Sequence, residues 1–383
     1  MKTPLGAAFA EPASRAKLCH VVRHWPCGGG MESTLRPHFE RGERLLAIAP
    51  AEDGVNALEA RPDRSWREAA SRLSNVLPRP PALFIHHNGY SLPLLAPRFP
   101  TARHLVWMHT DYPRGAAFRH WAAPWADGFI EVHPALLESH RRAQRARWYV
   151  PYAVQPPADL AARRAVARPE PTIGLISRLE VEQKRLDRLD TFVRRLDATG
   201  RPYRLEVLGD GTLAEALEAR FASHPRVHFF GTLRGADYWE RLLRWRHVVF
   251  LSDFEGLPIA LLEAVAAGAF PLYPAFHGEH EWTASFAPEG LYPPGDLDAL
   301  VRAWMATSGR ERPRTAFLEG SAERLRAHTA ERHFAAFDRA LVELMARPKR
   351  PASRARPLFT GSLPLWTYHR LYNWKRYGRR RVR

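Results

Sequence analysis

Two short stretches hold the residue types best suited to chemistry. In "SRLEVEQKR", Arg178 and Lys184 lie six residues apart across a turn. An Arg fork with a Lys point charge suits a diphosphate, whose charge rises as its leaving bond breaks. In "FEGLPIALLEAVAAG", Glu255 and Glu263 stand within an apolar strand–turn–helix unit, where an ionised carboxylate is costly unless something pairs with it. Eight helical residues at roughly 100° each return to within about 80° of the same side. The two acids can therefore address one elongated ligand at two heights. Plainer readings stand beside these: two solvated cations in an Arg-rich chain, a helix N-terminal charge at Glu255, and a paired core acid at Glu263.

Other candidates also follow short β-rich runs. "RHWPCGGGMES" puts Gly28, Gly29 and Gly30 before a helix, where backbone can approach a ligand closely or simply form a loop. The G-x-G-x-x-G spacing of a dinucleotide fingerprint is missing there. His109 and Asp111 end the run "WMHTDYP". In "VLGDGTL", Asp210 and Thr212 suit helix capping better than ligand binding.

The elements that position these residues alternate. "LCHVV", "RLLAIAP", "ALFIHH", "HLVWMHT", "GFIEVH" and "WYVPY" read as strands separated by helices or loops. The second half is clearer: "TIGLIS", "YRLEVLG", "RVHFFG", "HVVFLS" and "AFPLYP" alternate with helical stretches, one starting near Thr212 and one near Asp237. Leu186, Leu189, Val193 and Leu196 fall on one helical face. In the opening stretch, Pro258 is placed to be the first residue of its helix. The fold class is α/β: two doubly wound, Rossmann-like domains that would collect ligand groups at the carboxyl ends of their strands, facing a cleft. Boundaries fall at 1–155, a Pro- and Arg-rich linker at 156–171, a second domain at 172–346 and a basic tail at 347–383.

Composition narrows the function. The chain of 383 residues is 45% hydrophobic, and no apolar run reaches the ~18–20 residues a membrane span needs. Glu11 and the short apolar patch argue against a signal peptide. Cys19 and Cys27 form neither a disulfide framework nor a zinc set, which fits a reducing cytoplasm. The net charge of +17 is concentrated at one end: beyond Glu343 there is no acid, but there are ten Arg and two Lys. A mildly basic body with a basic tail weakens a nucleic-acid reading.

In order and spacing together, these residues resemble the retaining nucleotide-sugar glycosyltransferases of GT-B architecture, family 4 (group 1). The resemblance runs from Leu18 to about Ala346 and is strongest from Thr172 to Leu300. "SRLEVEQKR" resembles the family's Gly-Arg-Leu…Lys segment, "FEGLPIALLEA" its E-x7-E motif, "FHGEHEW" its Gly-rich turn ending in Glu, and "YPPGDLDAL" its Pro-Gly-Asp…Leu segment. It implies an acceptor-side first domain and a nucleotide-sugar-binding second domain. Arg178 and Lys184 would hold the donor diphosphate, Glu263 the ribose hydroxyls and Glu255 the transferred sugar. Backbone at Gly278 and Glu279 would also meet the sugar, Phe230 and Gly231 would border the base, Gly29 and Gly30 would approach the phosphates, and His109 would lie beside the sugar. Ser177 in place of Gly, "VPYAV" in place of a Pro-Asn-Gly-Val turn, and His133 in place of Ser depart from the pattern.

Such an enzyme retains anomeric configuration. A double displacement needs a carboxylate nucleophile beside the anomeric carbon, and the E-x7-E pair supplies none obviously. Front-face displacement is favoured, with the departing phosphate oxygen helping to deprotonate the acceptor while Arg178 and Lys184 stabilise its growing charge. No cofactor is expected, the nucleotide-sugar (UDP- or GDP-linked) being the substrate. No metal is expected, and "DLD" at Asp296–Asp298 reads as helix capping. The acceptor would be a cell-surface glycan or lipid-linked glycan. Sugar-nucleotide epimerisation or hydrolysis in the same fold is the alternative enzyme, and nucleic-acid binding through the tail the alternative non-enzyme.

That tail, "LPLWTYHRLYNWKRYGRRRVR", interleaves Trp366, Tyr368, Tyr372, Trp374 and Tyr377 with seven basic residues. It suits the headgroup zone of an anionic membrane, which would make the protein peripheral at the inner face of the plasma membrane. It equally suits packing onto the first domain and, less well, stacking on single-stranded nucleic acid.

Overall fold

A computed structural model describes residues 12–26, 29–49, 51, 55–61, 63–139, 145–164, 171–276, 280–308, 312–349 and 365–377. The chain divides into two units, one of residues 1–151 with 333–383 and one of residues 152–332.

Among the described residues, the first unit holds a seven-stranded parallel sheet. Its strands are β1 (Leu18–Val22), β2 (Arg44–Ala47), β3 (Asn56–Ala57), β4 (Leu83–His87), β5 (Arg103–Met108), β6 (Gly128–Glu131) and β7 (Ala146–Tyr149), in the order β3-β2-β1-β4-β5-β6-β7. Every residue of β1, β4 and β5 is buried, as expected for parallel strands covered by helices on both faces. His20 pairs in register with Leu45 on one side and Ile85 on the other. Strand order reverses between β1 and β4, so the loops after these strands diverge and leave a crevice at their carboxyl ends.

The second unit repeats the plan with β8 (Thr172–Ile176), β9 (Arg204–Leu208), β10 (Val227–Phe229), β11 (His247–Val249), β12 (Phe270–Pro274) and β13 (Leu291–Tyr292), in the order β10-β9-β8-β11-β12-β13. Its switch point lies between β8 and β11, the strands that precede Arg178 and Glu255. Leu186, Leu189, Val193 and Leu196 are all buried against Ile173, Leu205 and Trp304, which fixes the helix Leu189–Ala198 on the sheet.

Several boundaries differ from the sequence reading. The second crossover between units lies at 332/333 rather than at 346. The helix Ala330–Ala346 buries His333, Phe337, Leu341 and Leu344, and its His333 and Phe337 pack on Trp107 of β5. The 156–171 stretch is not all linker: Leu160–Arg164 is a short helix of the second unit, with Leu160 buried and Arg164 donating to the Leu318 carbonyl. The helices expected from Thr212 and Asp237 run Ala214–Phe221 and Gly235–Arg244. β3 and β13 were not foreseen, because two residues carry no periodicity.

The tail is described as a helix, Leu365–Tyr377, that packs on the first unit against the helix Gly115–Ala122. Tyr368 and Tyr372 are 1% and 2% exposed. Tyr368 donates to the Tyr90 carbonyl, and Tyr372 donates to the Asn88 carbonyl at 2.5 Å. No helix of the described residues is long and apolar enough to cross a membrane.

Candidate functional site

In the second unit the site grows from the loop after β8. Leu179 and Leu186 are buried at either end of that loop, and between them Gln183 is buried as well while Arg178, just before it, is exposed. The next strand end braces it: Ser177 N donates to the Leu208 carbonyl at 3.0 Å and Leu179 N to the Asp210 carbonyl at 2.8 Å. Gly209 makes this contact possible, because it sits at φ +125° and a Cβ there would lie 1.8 Å from the Ser177 carbonyl oxygen. Asp210 accepts from Gly211 N within this turn, and the following helix is capped at Leu213 without a side-chain bond. The capping role expected of Asp210 and Thr212 is therefore not seen. Asp210 instead holds the Arg178 loop through its backbone carbonyl.

The loop after β11 meets it. Asp253 N donates to the Gln183 carbonyl at 2.9 Å, and the Asp253 carboxylate receives Arg185 at 2.7 Å and Arg188 at 2.6 Å. This clamp delivers Glu255, 4% exposed, to three donors. Lys184 Nζ lies 2.6 Å from Oε1, Ser252 Oγ donates to Oε1 at 2.6 Å, and Gln183 Nε2 donates to Oε2 at 3.0 Å. Arg178 joins through Gln183 Oε1 at 3.2 Å and Glu180 at 3.1 Å while remaining exposed. Arg178, Lys184 and Glu255 are thus brought together. Glu255 is no helix N-terminal charge: the helix begins at Ile259, one residue later than expected, with Pro258 as its cap.

Glu263, half-buried on the helix Ile259–Ala266, faces a different partner. Tyr238 Oη donates to its Oε2 at 2.5 Å. Burial pushes the Glu263 carboxyl up to about 7, against the pull of that hydrogen bond. Tyr238 was missed in the sequence. The signal that could have found it was its place on the amphipathic helix right after Phe230 and Gly231, since that helix packs on the Glu263 helix. Phe230 carries the Arg241 guanidinium 3.8 Å from its ring centroid, and Gly231 turns the chain at φ +61°. Gly28, Gly278 and Glu279 lie outside the described residues, as does Cys27. Asp296 caps the helix Leu297–Thr307 through Ala299 N at 2.8 Å, and Asp298 pairs with Arg195, so "DLD" is structural.

In the first unit, Gly29 (φ +58°) and Gly30 open the helix Gly29–Glu40 beyond β1. His109 follows β5, its backbone N donating to Asn88 Oδ1 at 3.0 Å and its ring stacked 5.5 Å from Trp107. Its Nε2 lies 2.6 Å from His87 Nδ1. Burial pushes His109 down to about 3, so its ring is neutral. Asp111 is 3.7 Å from Arg119, a buried guanidinium that forks onto Glu131 at 2.8 and 2.6 Å. This ion pair, invisible in the sequence, gives Asp111 a structural neighbour. His133 accepts from Ala135 N at 3.2 Å at the head of the Pro134–Ser139 helix.

Residues 170–306, which lie within the second unit and include Arg178, Lys184, Phe230, Gly231, Glu255 and Glu263, match the family model "Glycosyl transferases group 1". No curated protein sequence matches the chain. Among solved structures, sucrose-phosphate synthase from Thermosynechococcus elongatus is similar over 86% of this chain and 99% of its own, with TM-score 0.67 and 15% identity. The Anabaena protein HepE is similar over the same shares, with TM-score 0.64 and 14% identity. TarM, solved from S. aureus as a mutant, is similar over 69% of this chain with TM-score 0.56 and 13% identity, and the chain spans 55% of TarM's length. Residues 170–306 are thus similar to the group 1 glycosyl transferases, and the two parallel-sheet units have the GT-B fold of these solved structures.

Proposed function

We propose that the protein is a retaining, metal-independent glycosyltransferase that moves a sugar from a nucleoside-diphosphate donor to a glycan or lipid-linked acceptor. The observation that carries this reading is the junction of Lys184, Glu255 and Arg178 at the switch point of the second sheet. Two cations of different geometry, one held by a buried carboxylate and one exposed, suit a diphosphate that gains charge as it leaves.

In this reading Arg178 and Lys184 hold the diphosphate, and Glu255 fixes Lys184 and stands at the sugar end. Glu263 receives the ribose hydroxyls, with Tyr238 orienting it, while Phe230 and Gly231 border the base. Gly278 and Glu279 keep their assignment to the sugar. On the first unit, Gly29 and Gly30 serve the phosphates and His109 the sugar. Both Glu255 oxygens are already occupied by Lys184, Ser252 and Gln183, which argues against a freely attacking nucleophile and for front-face displacement. The related HepE was solved with UDP and glucose and pneumococcal GtfA with UDP and GlcNAc, so UDP-linked donors are tested before GDP-linked ones.

The test is to incubate the protein with UDP- and GDP-sugars and glycan acceptors and to read product and anomeric configuration by NMR. A glycoside of the donor's configuration, formed equally in EDTA, is the expected result. An inverted product, or loss of transfer in EDTA restored by Mn2+, overturns the retaining or metal-independent part. Free sugar or an epimer as the sole product favours the alternative enzyme.

A further inference from the structure

A chain of histidines runs through the interior of the first unit around one carboxylate. His20 on β1, His38 near the end of the helix Gly29–Glu40 and Glu43 just before β2 converge. His20 Nε2 lies 2.7 Å and His38 Nδ1 2.9 Å from Glu43 Oε2. These side chains place three ligand-type atoms within 4.8 Å of one another, the one such group among the described residues. Behind them, His38 Nε2 lies 3.0 Å from His333 Nε2, His333 Nδ1 lies 2.7 Å from the Pro151 carbonyl, and His20 Nδ1 lies 2.9 Å from His87 Nε2. His20, His38, Glu43, His87 and His333 are all buried. From this convergence we propose that His20, His38 and Glu43 hold a divalent, zinc-class ion in a structural site enclosed by the first unit.

The His38 end decides the occupant. The Pro151 carbonyl only accepts, so a neutral His333 donates from Nδ1 and accepts at Nε2. His38 must then donate from Nε2, and a neutral ring keeps a bare lone pair on Nδ1. Burial pushes His38 down to about 3 and His333 down to about 4, so both rings are neutral. Two acceptors, the His38 Nδ1 lone pair and the Glu43 carboxylate, therefore face each other at 2.9 Å. Only a positive centre between them makes that approach favourable. A proton on Nδ1 would create a buried imidazolium, which desolvation opposes. A proton on Glu43 would serve His38 but leave Glu43 Oε1 as it stands, a buried oxygen with no hydrogen-bond partner among the described residues. An ion held by both carboxylate oxygens engages that atom too.

The donor set is one that zinc takes, two imidazole nitrogens and a carboxylate. Zinc bonds of ~2.0–2.2 Å space tetrahedral ligand atoms by roughly 3.4 Å, about half an ångström more than the two N···O distances here. The Glu43 carboxylate makes up that difference by turning at the end of its own side chain. The outer partners also fit, because a ligating histidine gives its second N–H to a further acceptor. His38 gives Nε2–H to His333, which gives its own N–H to a backbone carbonyl, and His20 can give Nδ1–H to His87 Nε2. Every ring in this arrangement is neutral.

The nearby charges call for a cation. Arg41 Nη1 is 3.9 Å from Glu43 Oε1, and Arg41 forks onto Asp338 at 3.0 and 2.8 Å, so these three side chains sum to one negative charge. A divalent ion turns the sum to one positive charge, spread over its ligands and beside the half-buried Asp338. Aromatic rings close the site: Phe39 lies 6.1 Å from His20, and Phe334, Phe337 and Trp107 lie 5.0, 4.6 and 5.7 Å from His38 between ring centroids. That apolar wall suits a structural ion rather than one that activates water. Through His333 the site also reaches the helix Ala330–Ala346, so the ion would pin the returning chain to the first sheet. None of its ligands is assigned to the donor or the sugar, so it stands apart from the proposed function and from the metal-independence of transfer.

The experiment is elemental analysis of the untagged full chain, purified without chelator, and again after refolding from urea and EDTA with Zn2+ or Co2+. The expected result is about one ion per chain that native dialysis does not remove, with the visible absorption of a tetrahedral site when the ion is Co2+. His38→Gln and Glu43→Gln should each lose stoichiometric binding, and wild-type protein refolded without metal should unfold at a lower Tm. A folded wild-type protein that holds no ion as purified and takes up neither Zn2+ nor Co2+ overturns the proposal, and leaves Glu43 as a neutral acid. An ion retained equally by both variants overturns it as well. The wild-type metal content decides even where a variant fails to fold. Sugar transfer is read in none of these arms, so failure of the functional reading is a separate outcome.

Discussion

Lys184 and Glu255, 71 residues apart in sequence, meet at 2.6 Å with the carboxylate nearly inaccessible and the ammonium partly so. The pair holds a Lys that would otherwise be mobile, at the crevice where strand order reverses. If Lys184 stabilises the departing diphosphate, Lys184→Ala lowers kcat by about 10²–10³-fold, the range for removing one preorganised donor. Steady-state kinetics on protein shown to be folded by circular dichroism checks this. Transfer at the wild-type rate rules out the assignment.

Glu263 links donor binding to pH. Its pKa of about 7 lies above the ordinary value of 4.5. The folded protein therefore keeps a proton that the unfolded chain loses, and the stability this group contributes is complete below about 4.5 and declines as pH rises toward 7. Ribose hydroxyls donate to a carboxylate, so donor affinity should rise as pH passes through about 7 and then level off. Tyr238→Phe removes a bond that favours the carboxylate, so it should move that midpoint upward. Calorimetric titration with UDP across this range reads both, and a pH-independent affinity contradicts the ribose role.

Gly209→Ala tests the brace under Arg178. The added Cβ meets the Ser177 carbonyl in a backbone region that side chains rarely adopt. Strain alone costs about 1–3 kcal/mol, and relief requires the Arg178 loop to move. Urea denaturation should show the loss, and diphosphate affinity should fall with it. An unchanged midpoint contradicts the brace.

The tail helix should act first as structure. Tyr368→Ala removes a fully buried ring, with an expected cost near the ~3–5 kcal/mol of other large aromatic truncations, and truncation after Arg356 should lower Tm. Because Tyr368 and Tyr372 are used in packing, any affinity for anionic vesicles must come from other residues of the tail. Co-sedimentation of the full chain and the truncation decides that. Equal lipid binding by both sinks the membrane reading.

The parallel strands, the helix face through Leu196 and the six-residue Arg178–Lys184 spacing were legible because each follows a period or a local motif. Tyr238, Gln183 and Ser252 were not, since nothing local distinguishes a polar residue that will meet Glu263 or Glu255 from one that faces water. The histidine chain was hidden for the same reason: His20, His38, His87 and His333 come from four separate elements, and each alone resembles a satisfied core histidine. Glu255 and Glu263 were legible as two acids along one ligand, but not that Glu255 lies in a salt bridge and Glu263 in a tyrosine hydrogen bond. The helix Ala330–Ala346 was assigned to the wrong unit because its amphipathic pattern shows a buried face but not the sheet that buries it.

The most direct test of the central claim is thermal unfolding with UDP-, GDP- and ADP-sugars, run on the wild-type protein and on Lys184→Ala. A ligand at one hundred times its Kd stabilises the native state by about 2.7 kcal/mol. The expected result is a raised Tm with at least one nucleotide-sugar, and a much smaller rise in Lys184→Ala. A wild-type Tm that no nucleotide-sugar moves contradicts a donor site built on Lys184 and Glu255.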